Sequence, residues 1–497
     1  MGKYYRKTMG IYKNINDLSG AMALLAWDQE TYMPTKGASR RGQQLGTVSS
    51  LIHDMLTSEE MRSVLEKTRS ETLTTNQKIN IREISRKSDR SIKIPVTLVR
   101  KLAETSSAAI GVWVEARKNN DFKAFAPWID KLVNLQQETA EAVGYDDEPY
   151  DALIDEYEPG ITTKQVIAIF DSIRDPLVDL VNNIQKSHFR PRTDFLEKNY
   201  PVKNQQQIAS HLAKIMGFDF ESGRIDISAH PFCTNMGIND VRLTNRYDKN
   251  LPTQSLYGII HEVGHALYEQ GLDPAHEGTP RGSSVSLGIH ESQSRLWENM
   301  VGRSRAFWRY FFPVFSATFP ENLIGITEEE IYAAVNEVKP SLIRVEADEI
   351  TYNLHIILRF EIERGLFTKE YTAADLPAIW AEKMKSLMGL KPPDYRTGIL
   401  QDIHWSHGSF GYFPTYTLGN IYAAQLYNTA TQELPKLNDD IAHGNLLPLR
   451  EWLKQKIHRP GMTHSPAQLI EHITGKPIST NYFLTYIRNK YNPLYSL

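Results

Sequence analysis

The sequence predicts a mainly α-helical protein with one small antiparallel sheet. Three observations lead there. Apolar residues recur at helical spacing over residues 45–56, 99–116 and 122–143. Over residues 224–244 the pattern changes to alternation, Ile225 and Ile227 on one side of the turn-rich HPFCTNMGIND and Val241 and Leu243 on the other. Immediately afterwards TQSLYGIIHEVGHALYEQG, residues 253–271, returns to a helical stripe of Leu256, Ile259, Ile260, Val263 and Leu267.

Taken in order, the chain opens with basic Lys3, Arg6 and Lys7 and an apolar run at residues 20–27, GAMALLAW. Asp17 precedes that run, and Asp28, Gln29 and Glu30 follow without a small-residue cleavage pattern, so it reads as a helix of the mature protein. Helices then follow to about residue 186, punctuated by Pro34, Pro95, Pro149 and Pro159. Residues 28–43 and 145–160 read as polar, aromatic turns between helices, with the lip of a substrate groove as their other use. The alternating segment is next, and its exposed edge could bind an extended peptide through backbone hydrogen bonds. Helix 253–271 is expected to be capped by Thr253 or Ser255 and closed by Gly271 in the left-handed conformation. Gly258 and Gly264 inside it predict that something packs very close. After a loop at 272–284, helices are expected at 287–297, 328–338, 342–363, 373–388, 448–458 and 465–474. Residues 392–419, dense in Gly, aromatics and His, do not read as a plain linker.

No repeat or composition shift marks a boundary in the 497 residues, which read as one domain, 1–497. Hydrophobic content of 41% and charged content of 23% are those of an ordinary globular protein rather than a disordered one. A net charge of −3 leaves no basic footprint, so neither nucleic acid nor an anionic membrane is the expected partner. Cys233 is the only cysteine, which excludes an internal disulfide framework and a thiolate metal cage and fits a reducing, cytoplasmic location.

Within helix 253–271, His261, Glu262 and His265 stand in the order HExxH. Residues four apart share a helix face, so the two imidazoles can converge on one Zn²⁺ while Glu262 is placed as a base. Catalytic zinc needs a third protein ligand. A metzincin histidine is excluded, because Tyr268 and Gly271 stand where that pattern wants Gly and His. Glu269 lies a turn beyond the metal and reads as a surface residue. The following HESQSRLWEN offers Glu291 and Glu298, of which Glu291 is preferred, one loop and a return turn after His265 and with Arg295 four residues on to hold it.

HEVGH followed by HESQSRLWEN resembles the carboxypeptidase Taq family of zinc metallocarboxypeptidases. Asp240, Arg242 and Thr244 are similar to its DxRxT, and Ile343, Arg344, Ala347 and Asp348 stand in IRVEADE. Gly398, Gln401, Asp402, His404 and Trp405 resemble GxxQDxHW, GYFPTYTLGN follows at 411–420, and WDQETYMP from Trp27 and YDALIDEYEPG from Tyr150 are also family-like. The resemblance implies a two-lobed helical body with a deep groove, similar to the neurolysin and angiotensin-converting-enzyme group, usually a homodimer. It implies His261, His265 and Glu291 as metal ligands, Glu262 as general base, and removal of single residues from the C-terminal end of peptides with broad specificity. Zinc is the expected metal, with cobalt as the other candidate.

Such chemistry wants a donor for the developing oxyanion, for which Tyr416 or Tyr412, with His404, are candidates. It also wants a guanidinium for the substrate's free carboxylate. Arg344 comes first, with Arg242 and Arg396 behind it and a salt bridge to Glu346 or Asp348 as its competing role. Asp240, Asp348 and Asp402 are candidate supports for ligand histidines or substrate-binding arginines. Two other functions compete: an endopeptidase with the same metal site but no carboxylate anchor, and a helical scaffold without turnover, against which Glu262 argues.

Overall fold

In the computed structural model, which describes residues 2–497, the HExxH stretch is one helix, Pro252–Gly271. Pro252 starts it, its missing N–H falling where a helix has no internal partner, and neither Thr253 nor Ser255 caps it. Ser255 is buried instead and donates to Gln205 Oε1 at 2.5 Å. Gly271 does not turn left-handed either. It is the last residue of the helix, and His458 packs against it so closely that a Cβ there would stand 2.3 Å from the His458 ring.

The close packing expected at the internal glycines is present. A Cβ on Gly264 would lie 2.7 Å from the backbone of Ser294, and one on Gly258 would lie 2.8 Å from Asn245 Oδ1. Gly264 thus lets the HExxH helix meet the next helix, Leu287–Arg295, backbone to backbone. On its other side that second helix meets Gly419 of helix Pro414–Glu433, where a Cβ would lie 2.6 Å from Glu291 Cγ. Leu287–Arg295 runs on into a π-helical segment, Leu296–Val301.

The sheet has three strands, β1 (Gly223–Ile227), β2 (Cys233–Asn235) and β3 (Val241–Asn245), with β3 in the middle. It is mixed rather than antiparallel throughout. β1 runs parallel to β3, Gly223 opposite Val241, while β2 is antiparallel to β3, Cys233 opposite Leu243. The link between the two alternating runs contains a strand of its own, so the chain reverses twice before β3. Val241 and Leu243 are fully buried in the same core as the HExxH helix.

Elsewhere the helices fall close to expectation, as Ala38–Thr57, Val96–Asn119 and Phe122–Val143. The apolar run at 20–27 lies inside helix Lys3–Thr31, and the 145–160 segment holds a helix, Pro149–Tyr157, where a turn was expected. The helix expected over 342–363 begins only at Thr351 and runs to Phe367. Asp348 sets that start, its Oδ1 accepting the N–H groups of Ile350 and Thr351 at 2.9 Å each. One large apolar core extends from Ala109 to Tyr495, and a smaller one joins Tyr5, Met9, Tyr12, Met61, Leu65, Ile81 and Ile84. Among the described residues no helix is long and apolar enough to cross a membrane.

Glu363 on helix Thr351–Phe367 fixes the 392–419 segment. Its carboxyl group accepts from Tyr150 Oη at 2.6 Å, Trp405 Nε1 at 2.8 Å and Gly411 N at 3.0 Å. Burial pushes this group up to about 7 from 4.5, so between those values the folded chain holds a proton that the unfolded chain has released. Stability should therefore fall as pH rises through that window. Denaturation midpoints from about pH 5 to about pH 8 should show this decline, and Glu363→Gln should lose that part of the slope. Gly264→Ala, which forces two backbones apart, should cost about 1–3 kcal/mol in chemical denaturation, whereas Gly111→Ala, with open space at its Cβ position, should not destabilise.

Candidate active site

The HExxH helix and its neighbour bring His261, His265 and Glu291 together. His265 Nε2 lies 3.2 Å from His261 Nε2, and Glu291 Oε2 lies 3.6 Å from the first histidine's Nε2 and 3.4 Å from the second's. A tetrahedral zinc ion with bonds of about 2.0–2.1 Å needs ligand atoms about 3.3 Å apart, so this triangle has the size of one face of such a site. The donor set, two imidazole nitrogens and one carboxylate oxygen, suits a borderline cation, and the residues fit the metal. Burial lowers the pKa of His265 to about 3, leaving its ring neutral as a ligand must be. Burial works against ionised Glu291, but Arg295 and the two histidines hold its carboxylate far below the usual range.

Glu298 does not join the triangle. Seven residues beyond Glu291, it faces the opposite edge of His261, whose Nδ1 is 2.9 Å from Glu298 Oε2. Arg295 bridges the two glutamates, with Nε 2.7 Å from Glu291 Oε1 and Nη1 3.0 Å from Glu298 Oε2, and lies over the Tyr352 ring at 4.4 Å. Glu269 also lies outside the triangle, yet it is buried rather than on the surface: its Oε1 lies 2.7 Å from His290 Nε2, and His290 Nδ1 lies 2.5 Å from His265 Nδ1. Glu262, beside His261, is buried as well, and that burial raises its pKa to about 7.

Arg344 is buried, and it pairs with neither Glu346 nor Asp348. Its Nε and Nη2 donate to Asp402 Oδ1 at 3.0 and 2.8 Å, and Nη1 lies 3.2 Å from Tyr352 Oη. Asp402 takes a second guanidinium on its other oxygen, Arg359 Nε at 2.7 Å. Despite burial, these two arginines hold the Asp402 carboxylate far below its ordinary range. The Arg344 guanidinium lies 5.1 Å from the Tyr416 ring, and Tyr416 Oη is 3.3 Å from His404 Nε2. Tyr412 packs on Tyr416 at 5.4 Å and on Tyr157 at 5.2 Å, which draws the 145–160 segment into this cluster. Burial lowers His404 to about 3 and raises Tyr412 to about 12 and Tyr416 well above its ordinary value, with the Glu291 charge adding to both tyrosine shifts. The site therefore presents neutral imidazole and neutral phenols.

Arg242 and Arg396 stand apart from these contacts. Arg242 binds Asp240 with both arms at 2.7 and 2.8 Å and covers the Trp27 ring at 4.5 Å. Arg396 is exposed and pairs with Asp394 at 3.3 Å. Asp348 caps a helix instead of supporting an arginine. Sequence reasoning missed Arg359, Tyr352 and His290. His290 stands beside Glu291 in HES and could have been found there; Arg359 and Tyr352 lie in a helix buried on nearly all sides, where no polar face singles them out.

Comparison with known proteins shows the family of the chain. The family model of the carboxypeptidase Taq (M32) metallopeptidases matches residues 7–491. Thermostable carboxypeptidase 1 of Thermus thermophilus is 42% identical over 99% of both chains, and carboxypeptidase 1 of Bacillus subtilis is 36% identical over 99% of both. The crystal structure of the M32 carboxypeptidase from Deinococcus radiodurans R1 superposes with a TM-score of 0.98 at 38% identity, covering 100% of each chain. With that match spanning His261, His265 and Glu291 and both arginine-bearing segments, the chain belongs to the carboxypeptidase Taq (M32) family and is a metallocarboxypeptidase.

Proposed function

We propose that the protein uses zinc at His261, His265 and Glu291 to remove single residues of varied type from the free C-terminus of peptides. The observation that carries this reading is the buried arginine pair. Arg344 and Arg359 share one carboxylate, Asp402, so the cluster keeps one positive charge in excess beside Tyr416. A substrate carboxylate would balance it.

Zinc, when bound, supplies a Lewis acid that polarises the scissile carbonyl and makes a water easier to deprotonate. The chain's own groups do the rest. Glu262, with a pKa near neutrality, accepts the proton of the attacking water and returns it to the leaving amine. Tyr416, kept protonated by burial, donates to the developing oxyanion, with Tyr412 and His404 holding its ring and hydroxyl. Arg344 receives the terminal carboxylate, held in place through Asp402, which Arg359 anchors from behind.

Mass spectrometry of one peptide and its C-terminally amidated twin tests the reading. The free peptide should lose residues one at a time and the amidated form should remain intact; internal cleavage of both would make the enzyme an endopeptidase. Glu262→Gln should lower kcat by roughly 10²–10⁴-fold while zinc content, measured by elemental analysis, stays at the wild-type level. Asp402→Asn should cost about 3–5 kcal/mol in chemical denaturation, because it leaves two buried guanidinium groups without their counter-charge.

A further inference from the structure

The two metal-binding histidines are supported differently. His261 meets a carboxylate directly, Nδ1 to Glu298 at 2.9 Å. His265 meets a second histidine, and the carboxylate of Glu269 stands one ring further back. Two imidazole nitrogens 2.5 Å apart can share only one proton, and the metal triangle decides which of them carries it. His265 turns Nε2 to His261 and Glu291, so that nitrogen must offer its lone pair and Nδ1 must carry the hydrogen. His290 Nδ1 is then the acceptor, and its own hydrogen sits on Nε2 and goes to Glu269 Oε1 at 2.7 Å. Glu269 Oε2 accepts from Asn235 Nδ2 in β2, and Asn235 Oδ1 is occupied by the N–H of Gly237 at 2.7 Å. Asn235 therefore cannot turn over without losing that bond, and Glu269 is required as an acceptor at both oxygens.

We propose that His290 and Glu269 are positioning residues for the metal ligand His265, forming a hydrogen-bond relay whose donors converge on Glu269 and which ties His265 to β2 through Asn235. This rests on the reading of His261, His265 and Glu291 as the metal site. The relay fixes the His265 ring in the tautomer and plane that ligation needs, and the Glu269 charge makes the ligand nitrogen a better donor through the intervening ring. The reverse order would place a hydrogen on His265 Nε2, where it blocks the metal.

Zinc affinity of the full-length protein, measured by titrating the metal-free form against a chromophoric chelator, tests this. His290→Asn keeps an acceptor close to the position of Nδ1, whereas His290→Leu has similar branching and none. His290→Leu should bind zinc roughly 10–100-fold more weakly, and His290→Asn should stay within about threefold of wild type. The visible spectrum of the cobalt-substituted protein should change in the Leu variant and be restored in the Asn variant. Equal affinity of the two variants, weakened or not, would overturn the relay. Should His290→Leu not fold, Glu269→Gln serves: its amide must point a donor at either His290 or Asn235, so zinc should bind about tenfold more weakly, and wild-type affinity would refute the proposal. Wild-type protein that takes up no zinc would instead overturn the metal site itself, and the relay with it.

Discussion

The contact on which the rest depends is the backbone approach of helix Pro252–Gly271 to helix Leu287–Arg295 at Gly264. His261 and His265 on the first helix and Glu291 on the second form a triangle with edges of 3.2 to 3.6 Å, and the close approach of the two backbones fixes how these side chains meet. Ordinary packing keeps helix axes about 8–10 Å apart, with side chains between. Gly264 removes the side chain on one face of the second helix, and Gly419 removes it on the other, directly against Glu291. Each glycine has a conformational cost within its helix, of about 1 kcal/mol against alanine. Close packing of two long buried surfaces offsets it.

Once the helices are that close, charge has to be arranged around the site with little water to screen it. Glu291 and Glu298 would repel each other and the buried Glu262; Arg295, between them in sequence and bonded to both, offsets part of that. A second set, Arg344, Asp402 and Arg359, does the opposite and leaves positive charge uncancelled. The two sets share Tyr352, whose ring lies under Arg295 and whose hydroxyl meets Arg344, so the metal end and the arginine end are held at a fixed separation by one aromatic side chain.

Much of this was legible in the sequence, and the parts that were not have a common cause. The HExxH order, the helix that carries it, the closeness announced by Gly258 and Gly264, and Arg295 as the partner of Glu291 all follow from spacing along a single helix or its successor. Strand direction did not follow, because β2 is only three residues long and carries too little alternation to be seen, yet its presence turns the β1–β3 pairing from antiparallel to parallel. The start of helix Thr351–Phe367 was misplaced because apolar spacing continues through 342–350, while Asp348 captures the N–H groups that decide the matter. Glu269 was read as exposed because nothing local shows that β2 and His290 close over it. Partners distant in sequence, Asp402 for Arg344 and Asn235 for Glu269, are invisible to any periodicity.

Hydrogen bonding is unequally complete across the site, and this separates what is built to be rigid from what is built to receive. Around the metal triangle each histidine's outer nitrogen and both outer oxygens of Glu298 and Glu269 have partners. At the other end, His404 Nδ1 is buried without a partner among the described residues, and the arginine pair carries more charge than Asp402 cancels. Unfilled polar capacity of this kind is costly unless a ligand completes it, so a peptide that brings a carboxylate gains where one that lacks it leaves the cost standing. On the proposed reading, discrimination for a chain terminus would come from these unsatisfied groups, and the side chain of the departing residue would need to contribute little, which is the physical argument for broad specificity.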